Sequence, residues 1–384
     1  MKKGILDMLW PSLCELRPDS VPSIVTGVKA ADGVRSPREW RSFLQQMPKI
    51  DLHRHLEGSL RLQTLAEIAE EHGIDLPSYR TEDLRRYVQV QEEEPDYHRF
   101  LAKFRLLRRF YQSREAVERV ATEVVADAAA DNVRYLELRF NPIALSRAQR
   151  FPLRDVVEWV TRAIARAQQT YSVTVRLIMQ IGRDEIPRLA EEMLELALAY
   201  RDQGVVGMDL AGDEVNYPAY RIAHVFWRAR QEGLGVTIHA GEVGGAANVR
   251  DAILRFHAQR IGHGIQALEN SEVVRLIQER GIALEVCPTS NLQTGAVRSL
   301  SHHPLPDMLA LGLRATLNTD DPSISDTTLT DEYLIAVTTL GLGIDHIRAM
   351  VFHALDAAFL PEEERASLRK QFEPWSAVSL PELL

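Results

Sequence analysis

Asp51-Leu52-His53-Arg54-His55-Leu56-Glu57-Gly58 is the stretch from which the fold of this chain can be worked out. It has the pattern of a β-strand, and because side chains alternate between the two faces of a strand, its odd-numbered positions are predicted to share one face. Two histidines at i and i+2 can bring their ring nitrogens to one metal ion, and zinc suits imidazole ligands. A half-buried strand with polar residues facing water has the same pattern. This stretch alone therefore does not distinguish a metal site from a solvated strand.

The composition is typical of a globular protein without a membrane span. The 384 residues are 45% hydrophobic and 26% charged, and no run of about 18 apolar residues occurs. A net charge of −9 argues against a nucleic-acid partner or an anionic membrane surface. Cys14 and Cys287 do not make a disulfide framework, and Asp7 and Pro11 interrupt any signal-peptide core. We therefore expect a cytoplasmic protein.

Short runs rich in valine, isoleucine and leucine recur along the chain, with amphipathic helical segments between them. The predicted strands are Lys49–His55, Tyr135–Phe140, Val175–Ile181, Val205–Leu210, Val236–His239, Arg260–His263, Ala283–Cys287 and Ala315–Asn318. Strands and helices that alternate at this spacing predict parallel strands joined by right-handed crossovers. Eight such units predict an α/β fold of the closed (β/α)8 TIM-barrel type.

Three segments lie outside this repeat, and we assign them to one domain that spans residues 1–384, with the core barrel at 48–360. Residues before Pro48 are expected to form a leader that contains a short helix at Gly4–Leu16. Residues 59–131 form a helical insertion after the first strand, with a long helical stretch at about Tyr97–Asp131. An insertion this long is expected to cover one end of the barrel as a lid. Extra C-terminal helices are expected from about Thr330 onwards.

Polar residues cluster where the predicted strands end, and the active site of such a barrel lies at that edge. The polar strand ends are His53–His55, Gly207–Glu214, Thr237–Glu242, Arg260–Gly264, Glu285–Asn291 and Leu317–Ser323. Any one of them could be a capping or solvated segment. Six of them at the same edge indicate a functional site.

Four of these residues are expected to bind one zinc ion. They are His53, His55, His239 and Asp320. Three neutral imidazoles and a carboxylate leave one position open for a water, whose pKa the metal lowers towards about 7.

Four further polar residues at this edge are candidates for acid–base work. Glu242 lies three residues past a ligand, and a carboxylic acid kept protonated there could donate a proton to the substrate. His263 could act as a base for the water or hold it electrostatically. Asp321 is free to accept a hydrogen bond from the nucleophile or the substrate. Glu285 could support His263, or it could be a buried strand-end carboxylate held by backbone donors.

Five motifs together resemble the adenosine/adenine deaminase family of the amidohydrolase superfamily, and the resemblance extends from about Lys49 to Leu360. They are Leu52-His53-Arg54-His55-Leu56-Glu57-Gly58, Asp209-Leu210-Ala211-Gly212-Asp213-Glu214, Thr237-Ile238-His239-Ala240-Gly241-Glu242, Arg260-Ile261-Gly262-His263-Gly264 and Asn318-Thr319-Asp320-Asp321-Pro322. The resemblance implies a barrel with one zinc ion that converts an aminopurine to a hydroxypurine and ammonia. It also implies that Glu242 protonates purine N1 while the metal-activated water attacks C6.

The resemblance implies further roles for residues around the substrate. His263 and Asp321 would orient and deprotonate the water. The backbone of Gly207 would approach purine N3, because a glycine allows close contact. The segment Phe100-Leu101-Ala102-Lys103-Phe104 resembles the family's lid helix, with Phe100, Leu101 and Phe104 facing the nucleoside, although helical spacing alone would equally give a core stripe.

Glu57 departs from the family pattern, because adenosine-specific members usually carry an aspartate there that reaches the ribose. Adenosine is the expected substrate, and adenine or a modified nucleoside such as aminofutalosine stays an alternative. A zinc-binding barrel without catalysis is a third alternative, although it would not need Glu242 or His263. A binuclear site would want a bridging lysine at the end of strand 4, where this chain has Asp209.

The remaining expectations concern histidines outside the motifs and the partners of the chain. His257, His302 and His303 are interpreted as surface or helix residues, because no other ligand type flanks them at zinc spacing. The expected partner is a small-molecule aminopurine nucleoside, with no nucleic acid and no membrane. The chain is expected to be a monomer or a homodimer.

Overall fold

The computed structural model describes residues 36–376 except residues 77 and 92, so the helix predicted at Gly4–Leu16 lies outside the described residues. Eight parallel strands in sequential order form one sheet. They are β1 (Lys49–His55), β2 (Val133–Phe140), β3 (Thr174–Gly182), β4 (Val205–Ala211), β5 (Gly235–Ala240), β6 (Arg260–His263), β7 (Ala283–Val286) and β8 (Arg314–Leu317). The prediction of a (β/α)8 barrel is confirmed.

The ring of strands closes just beyond the end of β8. Arg54 of β1 and Asp320 form a parallel bridge, in which the Asp320 N–H donates to the His53 carbonyl (2.8 Å) and the His55 N–H donates to the Asp320 carbonyl (2.9 Å). The closure joins the two segments from which the predicted metal ligands of strands 1 and 8 come.

Helices surround the barrel and fill the connections between strands. The α-helices are α1 (Pro37–Gln46), α2 (Leu62–Glu71), α3 (Thr81–Val88), α4 (Tyr97–Leu107), α5 (Arg114–Ala130), α6 (Pro142–Ser146), α7 (Leu153–Thr170), α8 (Pro187–Ala199), α9 (Ala223–Gln231), α10 (Ala246–Leu254), α11 (Ser271–Arg280), α12 (Pro288–Gln293), α13 (Leu305–Ala310), α14 (Pro322–Ser325), α15 (Leu329–Thr338), α16 (Ile344–Ala357) and α17 (Glu362–Ser376). Short 3₁₀ helices lie at Arg108–Phe110, Arg201–Gln203, Tyr220–Ile222, Ile265–Glu269 and Leu300–His302. None of the helices described here is long and apolar enough to cross a membrane.

The helical insertion differs from the prediction of one long helical stretch. It contains α4 and α5 with a break between them, because the Ser113 side chain accepts a hydrogen bond from the Ala116 N–H and begins a new helix. The segment before the barrel also differs, since the sequence predicted no helix where α1 lies. Phe43 and Leu44 are buried on that helix, which packs against α15.

The strand β1 is less regular than its sequence pattern suggests. Its pairing with β2 shifts register between Asp51 and Arg54. The Asp51 carboxylate accepts hydrogen bonds from Arg54 Nε (3.1 Å) and Thr319 Oγ1 (2.7 Å), and Glu57 lies in the turn after the strand. The prediction that the four odd-numbered side chains share one face is therefore wrong at both ends of the stretch.

Candidate active site

The four predicted metal ligands, His53, His55, His239 and Asp320, meet at the C-terminal edge of the barrel. The Nε2 atom of His239 lies 3.1 Å from that of His53 and 3.2 Å from that of His55, and the last two are 3.3 Å apart. Asp320 Oδ1 lies 3.2 Å from His53 Nε2 and 3.1 Å from His55 Nε2. All four residues are buried. The structure thus brings together ligand atoms from the first, fifth and eighth strands.

This donor set fits a zinc ion. Donors around tetrahedral zinc, with bonds of about 2.0–2.2 Å, are about 3.3 Å from one another. The observed separations of 3.1–3.3 Å match that spacing. Neutral imidazole nitrogens and one carboxylate oxygen are also ligands that zinc prefers.

Each ligand imidazole has an acceptor behind it. The pairs are His53 Nδ1 with Glu285 Oε2 (2.8 Å), His239 Nδ1 with Asp209 Oδ1 (3.0 Å) and His55 Nδ1 with Gln180 Oε1 (3.3 Å). An acceptor at Nδ1 keeps the proton there and turns the Nε2 lone pair towards the metal position. The suggestion that Glu285 supports His263 is wrong, because this carboxylate contacts His53.

Two buried arginines hold the carboxylates behind the ligands. Arg139 contacts Glu285 Oε2 (2.9 Å) and Asp209 Oδ2 (3.2 Å), and Arg260 Nε donates to Glu285 Oε1 (2.6 Å). Burial by itself would raise the pKa of Glu285, but the two guanidinium groups hold it well below its ordinary value. The pKa of Asp209 is lowered as well, because His239 and Arg139 outweigh the effect of burial. Both carboxylates are therefore ionised acceptors for the imidazole N–H groups.

The protonation states of the cluster suit metal binding. Burial lowers the pKa of His55 to about 4 and also lowers that of His239. Burial and Arg139 lower the pKa of His53, but hydrogen bonds to Asp320 and Glu285 raise it above its ordinary value overall. The pKa of Asp320 is held well below its usual range, since hydrogen bonds from His53 and His55 outweigh burial. The carboxylate is thus ionised and two of the rings are neutral, as ligation requires.

Glu242 lies beside this cluster in a buried loop after β5. Burial raises the pKa of the Glu242 carboxyl well above its ordinary value, and the nearby Asp320 and Glu214 raise it further. The backbone around it is held by Glu214, whose carboxylate accepts hydrogen bonds from the N–H groups of all four residues from 241 to 244 (2.8–2.9 Å). The arrangement favours a protonated acid in a fixed position.

His263 and Asp321 complete the polar edge of the site. His263 Nε2 lies 3.7 Å from Glu242 Oε2 and 3.9 Å from Asp320 Oδ2, and burial lowers the pKa of this ring well below its ordinary value. Burial also raises the pKa of Asp321, as do Asp320 and Glu57. His263 and Asp320 both have positive φ angles, 61° and 60°, which is a strained conformation for residues other than glycine.

Asp321 fits only because Gly58, in the turn after β1, has no side chain. A Cβ atom on Gly58 would lie 1.7 Å from Asp321 Oδ1. That oxygen is buried and has no hydrogen-bond partner among the described residues. The site therefore keeps an unpaired carboxylate oxygen beside the metal ligands.

Glu57 is a second buried acid with a free oxygen. Its Oε1 accepts a hydrogen bond from the Asn141 N–H (2.9 Å), and Oε2 has no partner within the described part of the chain. Burial raises the pKa of Glu57 to about 7, although Arg108 and backbone donors counteract the shift. At neutral pH this carboxyl group can therefore either donate or accept a hydrogen bond.

The lid candidates lie on α4, and two contacts at the N-terminal end of this helix join it to the site edge. The Tyr97 hydroxyl donates to the Gly212 carbonyl (3.0 Å), and the Asp96 N–H donates to the Gln293 carbonyl (3.2 Å). Of the candidate residues on this helix, Phe100 is buried, whereas Leu101 and Phe104 are half-buried.

Gly207 lies away from the site, and its predicted contact with the purine is wrong. It is the third residue of β4, and it pairs with Gly235, the first residue of β5. A Cβ atom on Gly207 would lie 2.9 Å from the Gly235 carbonyl oxygen and 3.0 Å from the Phe359 ring, which closes the opposite end of the barrel. Of the two glycines in the predicted strand end Gly207–Glu214, Gly212 is the one near the site edge, where it follows β4 with a φ of 100°.

Comparison with known proteins agrees with this geometry. The family model described as adenosine deaminase matches residues 48–375, which is most of the chain. The chain belongs to the adenosine deaminase family. An adenosine deaminase from Erwinia tasmaniensis is 40% identical over 324 residues, which are 84% of this chain and 97% of that protein.

Two solved structures extend the family comparison. An adenine deaminase from Arthrobacter aurescens superposes with a TM-score of 0.80 at 29% identity, over 86% of this chain and all of that chain. An amidohydrolase from Burkholderia ambifaria that contains bound zinc has a TM-score of 0.81 at 27% identity, over 90% of this chain and 94% of that one. The comparisons and the donor set both indicate zinc as the cofactor.

Several residues that shape the site escaped the sequence analysis. Arg139 lies inside a strand, and nothing in its local sequence signals that it joins two carboxylates distant in the chain. Gln180 lies near the C-terminal end of β3, so the rule that sites lie at this edge could have identified it. His303, interpreted as a surface or helix residue, is buried and contacts Asn291, whereas its neighbour His302 is exposed.

Proposed function

We propose that this chain is a zinc-dependent hydrolase that converts adenosine and water to inosine and ammonia. The observation that carries the proposal is the convergence of three imidazoles and the Asp320 carboxylate beside the buried acid Glu242. Relatives at about 40% identity over most of the chain are adenosine deaminases, which supports adenosine as the substrate.

The residues divide the chemistry between them. His53, His55, His239 and Asp320 would hold the zinc, which when bound polarises a water and makes it a nucleophile at neutral pH. Glu242 donates its proton to purine N1, so that C6 becomes electrophilic. The water oxygen bonds to C6 and the bond from C6 to the amino nitrogen breaks. One proton of the water completes the leaving ammonia, and the other restores the acid form of Glu242.

Glu57 is proposed to determine which group the enzyme accepts on the 5′ side of the substrate. Its unpaired Oε2 and its pKa of about 7 let it accept or donate a hydrogen bond to a ribose hydroxyl. A glutamate there also suits a related aminopurine, adenine or aminofutalosine, and an adenine deaminase is among the structural relatives. Adenosine remains the proposal because the relatives with higher identity carry that activity in their names.

We also propose that the insertion at residues 59–131 acts as a lid within a single domain. Hydrogen bonds from Tyr97 to Gly212 and from Asp96 to Gln293 support this role. Phe100, Leu101 and Phe104 would form its apolar surface against the nucleoside. We propose that the chain is a monomer or a homodimer in the cytoplasm. It is proposed to bind no nucleic acid, and the net charge of −9 supports that part.

Metal analysis combined with an ammonia-release assay tests the function. The purified chain should contain one zinc ion and release ammonia from adenosine. Steady-state rates with adenosine, deoxyadenosine, adenine and aminofutalosine should give the highest kcat/KM for adenosine. Stoichiometric zinc without deamination of any of the four compounds would refute the enzyme proposal. The chain would then be a zinc-binding barrel without catalysis.

A further inference from the structure

A series of three hydrogen bonds runs behind His263, which differs from His53, His55 and His239 in having an amide nitrogen and not an oxygen at Nδ1. His263 Nδ1 lies 3.1 Å from Asn291 Nδ2, and Asn291 Oδ1 lies 3.2 Å from His303 Nε2. The Leu305 N–H donates to His303 Nδ1 at 3.1 Å. The side chains of His263, Asn291 and His303 are all buried, so water does not compete for these contacts.

The direction of every bond follows from the backbone N–H of Leu305, which can only donate. His303 Nδ1 must therefore accept, and a neutral His303 carries its proton on Nε2. That N–H donates to Asn291 Oδ1, which turns the amide NH₂ group of Asn291 towards His263. An amide nitrogen is only a donor, so His263 Nδ1 must accept, and the proton of this ring lies on Nε2.

This assignment sets His263 apart from the metal ligands. His53 and His239 have carboxylates at Nδ1, so their protons lie there and their lone pairs at Nε2 face the metal position. His263 has a donor at Nδ1 instead, and its Nε2–H group points into the site. Its distances from Glu242 Oε2 (3.7 Å) and Asp320 Oδ2 (3.9 Å) are too long for hydrogen bonds, so this N–H is available to another oxygen.

We propose that Asn291 and His303 are positioning residues that keep the proton of His263 on Nε2, so that His263 donates a hydrogen bond to the attacking oxygen and does not act as its base. The inference rests on the proposed deaminase function. It resolves the two roles that the sequence left open for His263 in favour of the electrostatic one.

The decisive experiment replaces the hydrogen-bond donor that Asn291 presents to His263 with an acceptor. Asn291→Asp has nearly the same shape, but its carboxylate accepts a hydrogen bond and draws the His263 proton to Nδ1. The variant should keep its zinc and its KM for adenosine within about twofold, while kcat falls by about 100-fold, the effect of losing one donor to a reacting oxygen. The chelator concentration that removes half of the zinc should be unchanged.

Long-range ¹H–¹⁵N NMR spectra of ring-labelled, zinc-loaded enzyme read the tautomer directly, with His263→Gln used to assign the signals. The wild type should show the His263 proton on Nε2, and Asn291→Asp should show it on Nδ1. A wild-type proton on Nδ1, or wild-type kcat in Asn291→Asp, would overturn the proposal. The tautomer is measured without substrate, so a wild type that deaminates nothing refutes the function and not the assignment.

A second pair of variants keeps the test valid if Asn291→Asp does not fold. His303→Gln can still donate an N–H to Asn291 Oδ1 and should retain most of the wild-type kcat, whereas His303→Leu should lose about tenfold or more. His302→Leu is the matched control, because this adjacent ring is exposed and contacts only Ser299 and Ser301. Equal kcat values in His303→Gln and His303→Leu would contradict the positioning role.

Discussion

The two ends of the barrel are closed in opposite ways. At the N-terminal end, the Phe359 ring fills the space left by Gly207 and Gly235, and the Arg260 guanidinium lies 3.6 Å above that ring. At the C-terminal end, Glu57 Oε2 and Asp321 Oδ1 are buried without partners among the described residues. The first, which we call the packed end, is thus closed by an aromatic ring and a guanidinium group, while the second, the polar end, keeps two carboxylate oxygens unpaired.

The difference shows where this fold accepts a cost in stability. A buried polar atom without a partner costs about 1–3 kcal/mol, and these two carboxylate oxygens lie beside the position where a substrate and a metal would bind. The two ends are nevertheless connected. Arg260 contacts Phe359 and Glu285, and Glu285 contacts the ligand His53. The packed end thus supports the groups that orient the metal ligands.

Removal of a ligand at the polar end should have the largest effect on activity. His239→Ala takes away one of three imidazoles, so zinc content should fall towards zero and adenosine deamination should become undetectable. Inductively coupled plasma analysis and ammonia release measure the two effects. His224→Ala, a change at an exposed histidine, is the control. Stoichiometric zinc in His239→Ala would remove this residue from the ligand set.

Loss of the acid should come next, with the metal retained. Glu242→Gln preserves the shape of the side chain but cannot transfer a proton, so kcat should fall by about 1,000-fold at unchanged zinc content. Glu279→Gln, at an exposed position on α11, should behave as the wild type. A kcat close to the wild-type value in Glu242→Gln would rule out its role as general acid.

A change at the packed end should reduce stability and leave the chemistry intact. A Cβ atom on Gly235 would lie 2.3 Å from the Phe359 ring, so Gly235→Ala should lower the free energy of unfolding by about 1–3 kcal/mol. The kcat of the folded enzyme should stay within about twofold. Urea unfolding of Gly235→Ala, Phe359→Ala and the double variant measures the coupling, and the double variant should lose less than the two single losses together. Additive losses would contradict the steric explanation.

The smallest effect is expected at a buried acid behind the polar end. Glu332 accepts hydrogen bonds from the Thr289 N–H (3.1 Å) and Thr327 Oγ1 (2.8 Å), and burial raises its pKa from 4.5 to about 7. The folded chain then binds this proton more tightly than the unfolded chain, so stability should decrease as the pH rises from about 4.5 to about 7.

Glu332→Gln should make this part of the stability profile flatter, because glutamine does not titrate. Thermal unfolding between pH 4.5 and 8 measures the slope, and Glu363→Gln at the exposed start of α17 is the control. An unchanged slope in Glu332→Gln would show that this carboxyl titrates normally.

Much of the fold and the composition of the site could be predicted from the sequence. The predicted bounds of β1 and β6 match the structure, and the (β/α)8 architecture is confirmed. Strand and helix periodicity is local, so a single sequence carries it. The rule that sites lie at the C-terminal edge then directed attention to His53, His239 and Asp320, whose atoms the structure brings together.

The partners of those residues depend on the tertiary structure. Glu285 meets His53 across 232 positions, and only closure of the barrel sets that register. Depth along a strand was equally hidden from the sequence, because Gly207 and Gly212 both lie in the quoted strand end yet only Gly212 lies near the site. The sequence determined which chemical groups reach the edge, because strand periodicity is encoded locally. Tertiary packing decided which atom each group faces, and therefore where the proton of His263 lies.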